Sequence, residues 1–102
     1  AGSYEQAERT LLRAYELDAG NPVVGFNLSE LLVRRGNFER AQFYIRRINN
    51  SEMANAETLW LGIKVERRLN DAIAMRQLAD QLRKRFSESR EYRAFERGAF
   101  NE

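Results

Sequence analysis

The chain has 102 residues, 17 of them basic and 15 acidic, for a formal net charge of +2; that length holds one hydrophobic core and leaves no room for a second domain. It contains neither cysteine nor histidine, which excludes disulfide frameworks, metal centres built on thiolates or imidazoles, and every catalytic triad or dyad that needs those residues. All the basic residues except Lys64 and Lys84 are arginine, a bias that suits bidentate capture of carboxylate or phosphate, while so small a net charge gives little non-specific attraction to nucleic acid.

Taken in chain order, the apolar spacing predicts six helices. The first runs from Tyr4 to Asp18. The second, Pro22 to Arg35, is opened by Asn21 as N-cap before a first-turn proline and stopped by Gly36 in the left-handed conformation. A third spans Phe38 to Asn49 and a fourth Ala56 to Arg68. There Leu69 stands at the position equivalent to Gly36, so Asn70 is expected to take the left-handed turn, with Asp71 capping the fifth helix, Asp71 to Arg85. Ser89 caps the sixth, Arg90 to Gly98. The longest apolar runs, such as Leu59 to Ile63, fall far short of a membrane span, and no signal peptide is visible.

These helices repeat. A shift of 34 places Gly2 on Gly36, Tyr4 on Phe38, Ala7 on Ala41 and Leu11 on Ile45; a shift of 33 places Leu28 on Leu61, Leu32 on Val65, Ala41 on Ala74 and Ile45 on Leu78. A period near 34 made of two helices is that of the tetratricopeptide repeat. Leu61-Gly62 resembles its Leu-Gly pair, and Ala7-x3-Leu11, Ala41-x3-Ile45 and Ala74-x3-Leu78 its Ala-x3-Phe pattern. Small residues at those places let antiparallel helices approach, and the apolar residue a turn later fills the gap. The fold class is therefore all-α, a right-handed tetratricopeptide array in a single domain, 1–102. Residues 1–21 form the second helix of a truncated repeat, 22–54 and 55–88 two repeats, and 89–102 a capping helix on which Tyr92, Phe95 and Ala99 continue the core spacing. An array that opens on a second helix reads as a piece of a longer one, and the uncovered apolar face of that helix makes a homodimer through it an expectation.

A stacked array lines a groove with one face of each repeat's first helix. That face reads as Val23, Phe26, Asn27, Glu30, Val33 and Arg34, then Ala56, Leu59, Trp60, Ile63, Glu66 and Arg67, with Arg93, Ala94 and Arg97 from the cap. The candidate partner-binding residues are Phe26, Asn27, Glu30, Val33, Arg34, Trp60, Ile63, Arg67, Arg93 and Arg97, a set with apolar anchors and an arginine rim suited to a peptide with apolar side chains and a carboxylate. Trp60 is equally a packing residue, and Leu59 and Ile63 read more readily as filler between helices. Arg34-Arg35 and Arg67-Arg68 also stand at helix C-termini, where the macrodipole favours cations. Glu5 with Glu8, and Glu88 with Glu91, share helical faces, but in exposed surroundings they read as solvated charge, not as acid and base. No phosphate loop or metal-ligand spacing occurs, so no enzyme activity, cofactor or metal is expected. Gln42 to Arg47 imitates a nucleic-acid stacking strip, yet Ile45 and Ile48 point inward and Phe43 and Tyr44 belong to the convex side or to repeat contacts, so no nucleic acid is expected.

A sharper resemblance lies in Ala56-Glu57-Thr58-Leu59-Trp60-Leu61-Gly62-Ile63 and, further on, Phe86-Ser87-Glu88-Ser89-Arg90-Glu91-Tyr92 with Phe95. These segments resemble the C-terminal part of the PilF/PilW family of type IV pilus biogenesis lipoproteins, with Ser87 departing from the proline usual after that phenylalanine. The resemblance implies a pilotin: a tetratricopeptide protein at the periplasmic face of the outer membrane, anchored there by an N-terminal lipid that this stretch does not include, with the pilus secretin subunit as partner. The rival readings are a tetratricopeptide adaptor of another pathway that holds a peptide or a C-terminal carboxylate, and an RNA-binding helical repeat.

Overall fold

A computed structural model describes residues 2–102, which form six helices and no strand: α1 (Gly2–Leu17), α2 (Pro22–Arg34), α3 (Phe38–Asn49), α4 (Ala56–Arg68), α5 (Ala72–Arg85) and α6 (Arg90–Glu96). Each helix packs on the next, α2 also touches α4, and α6 sits against both α4 and α5. This is the all-α repeat array that the 34-residue period predicts.

The boundaries follow from capping chemistry. Asn21, Asn37, Asn55, Asp71 and Ser89 each accept a backbone N–H of the helix they open, satisfying donors that have no partner inside the helix. At α4 the cap is reciprocal, because the Thr58 hydroxyl also accepts the Asn55 N–H at 2.8 Å. Three helices end in a left-handed residue, Gly36 (φ 78°), Asn70 (φ 61°) and Gly98 (φ 69°). After each, the next N–H reaches back five residues: Asn37 to the Leu32 carbonyl, Asp71 to Glu66 and Ala99 to Ala94. The expected left-handed Asn70 is present, but its register needs correcting. Caps and stops repeat at 34, Asn21 on Asn55 and Asn37 on Asp71, so Asn70 itself is the counterpart of Gly36 and Leu69 is that of Arg35. Gly98 lies beyond α6, not at its last turn.

The core runs along the stack. Leu28, Leu32, Ala41 and Val65 pack between α2, α3 and α4; Ile45, Ile48 and Leu61 continue it; Leu59, Trp60, Ile63, Ala79, Leu82 and Ala94 close it at the C-terminal end. Gly62 shows why the Leu-Gly pair matters: a Cβ there would lie 2.6 Å from Asn49 Nδ2 and 3.0 Å from Leu78 Cδ1, so the α3 and α5 side chains packed against α4 at this point would have to shift. Asn49 uses that approach to donate to the Thr58 carbonyl at 2.9 Å.

The cap forms as the spacing of Tyr92, Phe95 and Ala99 predicts. All three pack on the C-terminal cluster together with Phe100. Trp60 is the centre of this arrangement. Its ring stacks on Phe100 at 5.6 Å and meets Phe95 edge-on at 6.5 Å, geometries that suit the ring quadrupoles. Trp60 is 5% exposed and Ile63 fully buried. Both are core residues, which corrects the expectation that they line an open groove; the reason is that α6 and the segment after Gly98 cover this part of α4.

The opposite end is held differently. Among the described residues of α1 none is buried: Ala7, Glu8, Leu11, Leu12, Ala14 and Tyr15 are half-buried and the rest exposed. Side chains on its inner flank tie it down. Glu8 accepts from Arg35 and from Arg40, both at 2.8 Å, and Tyr15 packs edge-on against Tyr44 at 4.9 Å. The hydrogen bond from Arg40 holds the Glu8 carboxyl below the usual carboxylate range against partial burial, with Arg35 adding to it.

Candidate functional site: the groove between α2 and α4

Helices α2 and α4 leave a groove that is apolar at one end and basic at the other. At the N-terminal ends of the two helices, Pro22, Val23, Phe26 and Asn27 face Met53, Asn55, Glu57 and Thr58 across a cleft of about 320 Å³. Val23 and Met53 are 65% and 54% exposed there. Phe26 is half-buried because its ring also packs on the core cluster of Ile45, Ile48 and Leu61.

Seven residues further along α2, the groove widens into a second cleft of about 540 Å³. Its floor is Val33 and Leu61; its walls carry Arg34, Lys64, Arg67 and Arg68, with Glu30, Phe38 and the segment Phe100 to Glu102 completing the rim. Arg67 lies 4.3 Å over the Phe100 ring and Arg68 4.4 Å over Phe38, contacts that orient the guanidinium groups without neutralising them. None of Arg34, Lys64, Arg67 and Arg68 makes an ion pair with an acid among the described residues. Burial lowers the Lys64 ammonium from its usual value, with Glu30 acting in the opposite direction.

Of the two arginine pairs, Arg67-Arg68 lies wholly in the groove and Arg34-Arg35 divides by role. Arg35 is engaged with Glu8, whereas Arg34 and Arg67 reach the groove from the last turns of α2 and α4, where the macrodipole already favours a cation.

Six of the ten candidate residues come together here: Phe26 and Asn27 at the apolar end, Glu30, Val33, Arg34 and Arg67 at the basic end. Trp60 and Ile63 are buried instead. Arg93 and Arg97 are exposed but turned to local partners, Arg93 donating to the Glu88 carbonyl at 2.8 Å and Arg97 pairing with Glu102 at 2.7 Å. Glu66 also departs from the groove face. It is 1% exposed and accepts from Gln42 and Arg46 of α3 at 2.8 Å each, beside a polar cleft of about 350 Å³ between α3 and α5.

The groove also holds residues that sequence reasoning missed, Lys64, Arg68, Phe38, Met53 and Phe100. Lys64 and Arg68 are spaced one turn apart beside Arg67 and carried that signal; Met53 and Phe100 lie in segments without periodicity and carried none.

A tetratricopeptide repeat family model matches residues 1–59, more than half of the chain. The chain belongs to the tetratricopeptide repeat family. Its repeats are thus of a kind that serves as a scaffold for binding other proteins, and no helix of the described residues is long and apolar enough to cross a membrane. The tetratricopeptide fold extends past the matched segment: the structure solved in the functional characterization of Pseudomonas aeruginosa pilF superimposes with a TM-score of 0.80 and 23% identity, over 93% of this chain and 43% of that one. The present tetratricopeptide chain therefore spans less than half the length of that protein. No curated protein matches the sequence.

Proposed function

We propose that this chain is the C-terminal repeat region of a type IV pilus biogenesis protein of the PilF/PilW kind, and that it helps the outer-membrane secretin to assemble or localise by holding a partner segment in the groove between α2 and α4. The observation that carries the reading is the agreement of two independent resemblances. Leu59-Trp60-Leu61-Gly62-Ile63 and the Phe86 to Tyr92 run resemble that family, and the pilF structure shares the fold over 93% of the chain. On this reading the protein works at the periplasmic face of the outer membrane through a lipid anchor upstream of Ala1, and its chemistry is non-catalytic.

The test is genetic and biochemical. Deleting the gene that encodes this chain should abolish the heat-resistant secretin multimer in membrane fractions, and the intact gene should restore it. Secretin multimers that persist unchanged in the deletion strain would overturn the pilus role.

A homodimer through α1 is the second interaction we propose. Tyr4 and Leu17 are 44% and 78% exposed, and half-buried Leu11 and Leu12 lie between them on a helix with packing on one flank only.

A further inference from the structure

Away from the groove, a different cleft opens on the other side of α4. Helices α3 and α5 both pack on α4 without packing on each other, and the polar cleft of about 350 Å³ lies between them. That volume falls within the range of small-ligand sites, about 300 to 1,000 Å³. Gly62 and Glu66 form its floor, on a face of α4 turned away from Leu61, Lys64 and Arg68 of the groove. Asn49 and Arg46 of α3 make one wall; Gln77, Gln81 and Leu78 of α5 make the other, with Asp71 and Ile73 at the mouth.

One atom in this cleft lacks what burial demands. Asn49 is only 7% exposed, and its Oδ1, shut off from solvent, accepts from no donor of the protein. Its Nδ2 is committed to the Thr58 carbonyl of α4 at 2.9 Å, so the amide is fixed with its oxygen turned from that bond. A buried acceptor left without a donor is costly, and a ligand that brings an N–H recovers that cost.

Charge narrows the ligand further. The charged residues lining the cleft are Glu66, Asp71 and Arg46, two acids against one base, which favours a cation and opposes an anion. Both carboxylates are already occupied by Arg46. Glu66 accepts from its Nε at 2.8 Å and its Nη2 at 3.1 Å, and Asp71 accepts from Nη2 at 3.2 Å. Gln42 and the Ala74 N–H take up further acceptor capacity at 2.8 and 3.0 Å. A second guanidinium therefore finds no carboxylate free for its planar fork, whereas an ammonium is a point charge whose three donors can turn to separate acceptors. Among the described residues no group of acids is placed to hold a metal ion. Ile73 and Leu78 give an alkyl stem an apolar surface to lie on.

We infer that the cleft between α3 and α5 is a second partner site, separate from the groove, which receives the lysine side chain of a partner protein. The ammonium donates to Asn49 Oδ1 and to the Gln77 and Gln81 amide oxygens, and its charge balances the excess acid. A protein is the source because Ile73 at the mouth and Phe43, one turn before Arg46 on α3, are exposed large apolar side chains. A partner surface around the lysine buries them, and a free amine does not.

An NMR titration of the chain with an end-blocked Leu-Lys-Leu peptide tests the site. Shifts should centre on Asn49, Gly62, Gln77 and Gln81, with Phe26 and Arg67 unmoved. The lysine peptide should bind about tenfold more tightly than the same peptide with norleucine or Nε-acetyl-lysine, the worth of one charge-assisted hydrogen bond. Asp71→Asn should weaken binding about threefold to fivefold by removing an exposed charge. The helix cap survives that change, since asparagine opens α2, α3 and α4 in the same way. Ile73→Arg, at an exposed position, should weaken binding by a similar factor with an unchanged circular dichroism spectrum. Equal affinity for the norleucine peptide, or an Asp71→Asn variant that binds as tightly as the original chain, would overturn the charge argument and the inference with it. An arginine peptide that binds as well as the lysine peptide would overturn the choice of ammonium. If 1,5-diaminopentane binds as tightly as the peptide, the ligand is a free amine and the protein partner is wrong. Shifts confined to α2 and the groove face of α4 would overturn this site while leaving the groove reading intact.

Discussion

The two ends of this stack solve the same problem in different ways. At the C-terminal end, Trp60 lies under Phe95 and Phe100 and only 5% of it is exposed, so the Trp60 face of α4 is sealed by α6 and the segment after Gly98. At the N-terminal end α1 rests on α2 by one flank, and no described residue of it is buried. Both regions carry the same repeat spacing. What separates them is the neighbour each one has: the apolar spacing selects the face to be covered, and the depth of burial depends on how many helices arrive to cover it. One end therefore draws on area removed from water, and the other leans on directional contacts such as Glu8 with Arg35 and Arg40.

Removing the C-terminal seal should produce the largest effect. Trp60→Ala should cost about 3 to 5 kcal/mol, the range for truncating a large buried aromatic side chain, read from urea denaturation. A smaller loss, about 2 kcal/mol, is expected for Phe95→Ala, since Phe95 is only half-buried. If both variants keep nearly wild-type stability, α6 does not seal the stack.

The other end should respond to pH. A carboxyl held low in the folded chain, as that of Glu8 is by Arg40 and Arg35, adds stability that is fully present above the unfolded carboxylate pKa of about 4.3 and lost as pH falls through the lower folded value. Acidification below about pH 4 should thus loosen α1 before α4. The arginines are a third or more exposed, so solvent screening limits the effect to about 1 kcal/mol. Hydrogen exchange resolved by helix would show it, and Glu8→Gln should remove the difference. Equal pH responses in α1 and α4 would contradict the comparison.

Smallest of all is the expected self-association. Sedimentation over a wide concentration range should reveal weak dimers, and Leu17→Glu should suppress them without altering stability, because Leu17 is 78% exposed. A strict monomer at high concentration would mean that the single packed flank of α1 suffices.

Much of this architecture is legible in the sequence because it is periodic. The Asn21-Pro22 start, the Gly36 stop, the Ala41 contact and the Tyr92-Phe95-Ala99 cap each follow from a residue whose local chemistry has one good use. Trp60 and Ile63 illustrate what periodicity leaves out. Their helical face is the groove face, as the spacing says, yet at that level of the stack the face is roofed by Phe100, which sits beyond a glycine stop where no period applies. Glu66 fails for a related reason: its partner Arg46 lies 20 positions away, and no sequence pattern announces that pairing. The clefts at the two ends of α2 were partly foreseen, through Phe26, Asn27, Glu30, Val33 and Arg34, because α2 has no roof of its own.

The central claim is that the partner occupies the open groove along α2 and leaves the sealed end of α4 untouched. An NMR titration of the chain with the periplasmic part of the secretin tests it most directly. The account predicts shifts concentrated at Val23, Phe26, Asn27, Val33, Arg34 and Arg67, with the Trp60 indole resonance unmoved. Shifts centred on Trp60, Phe95 and Phe100 with a silent α2 would contradict it.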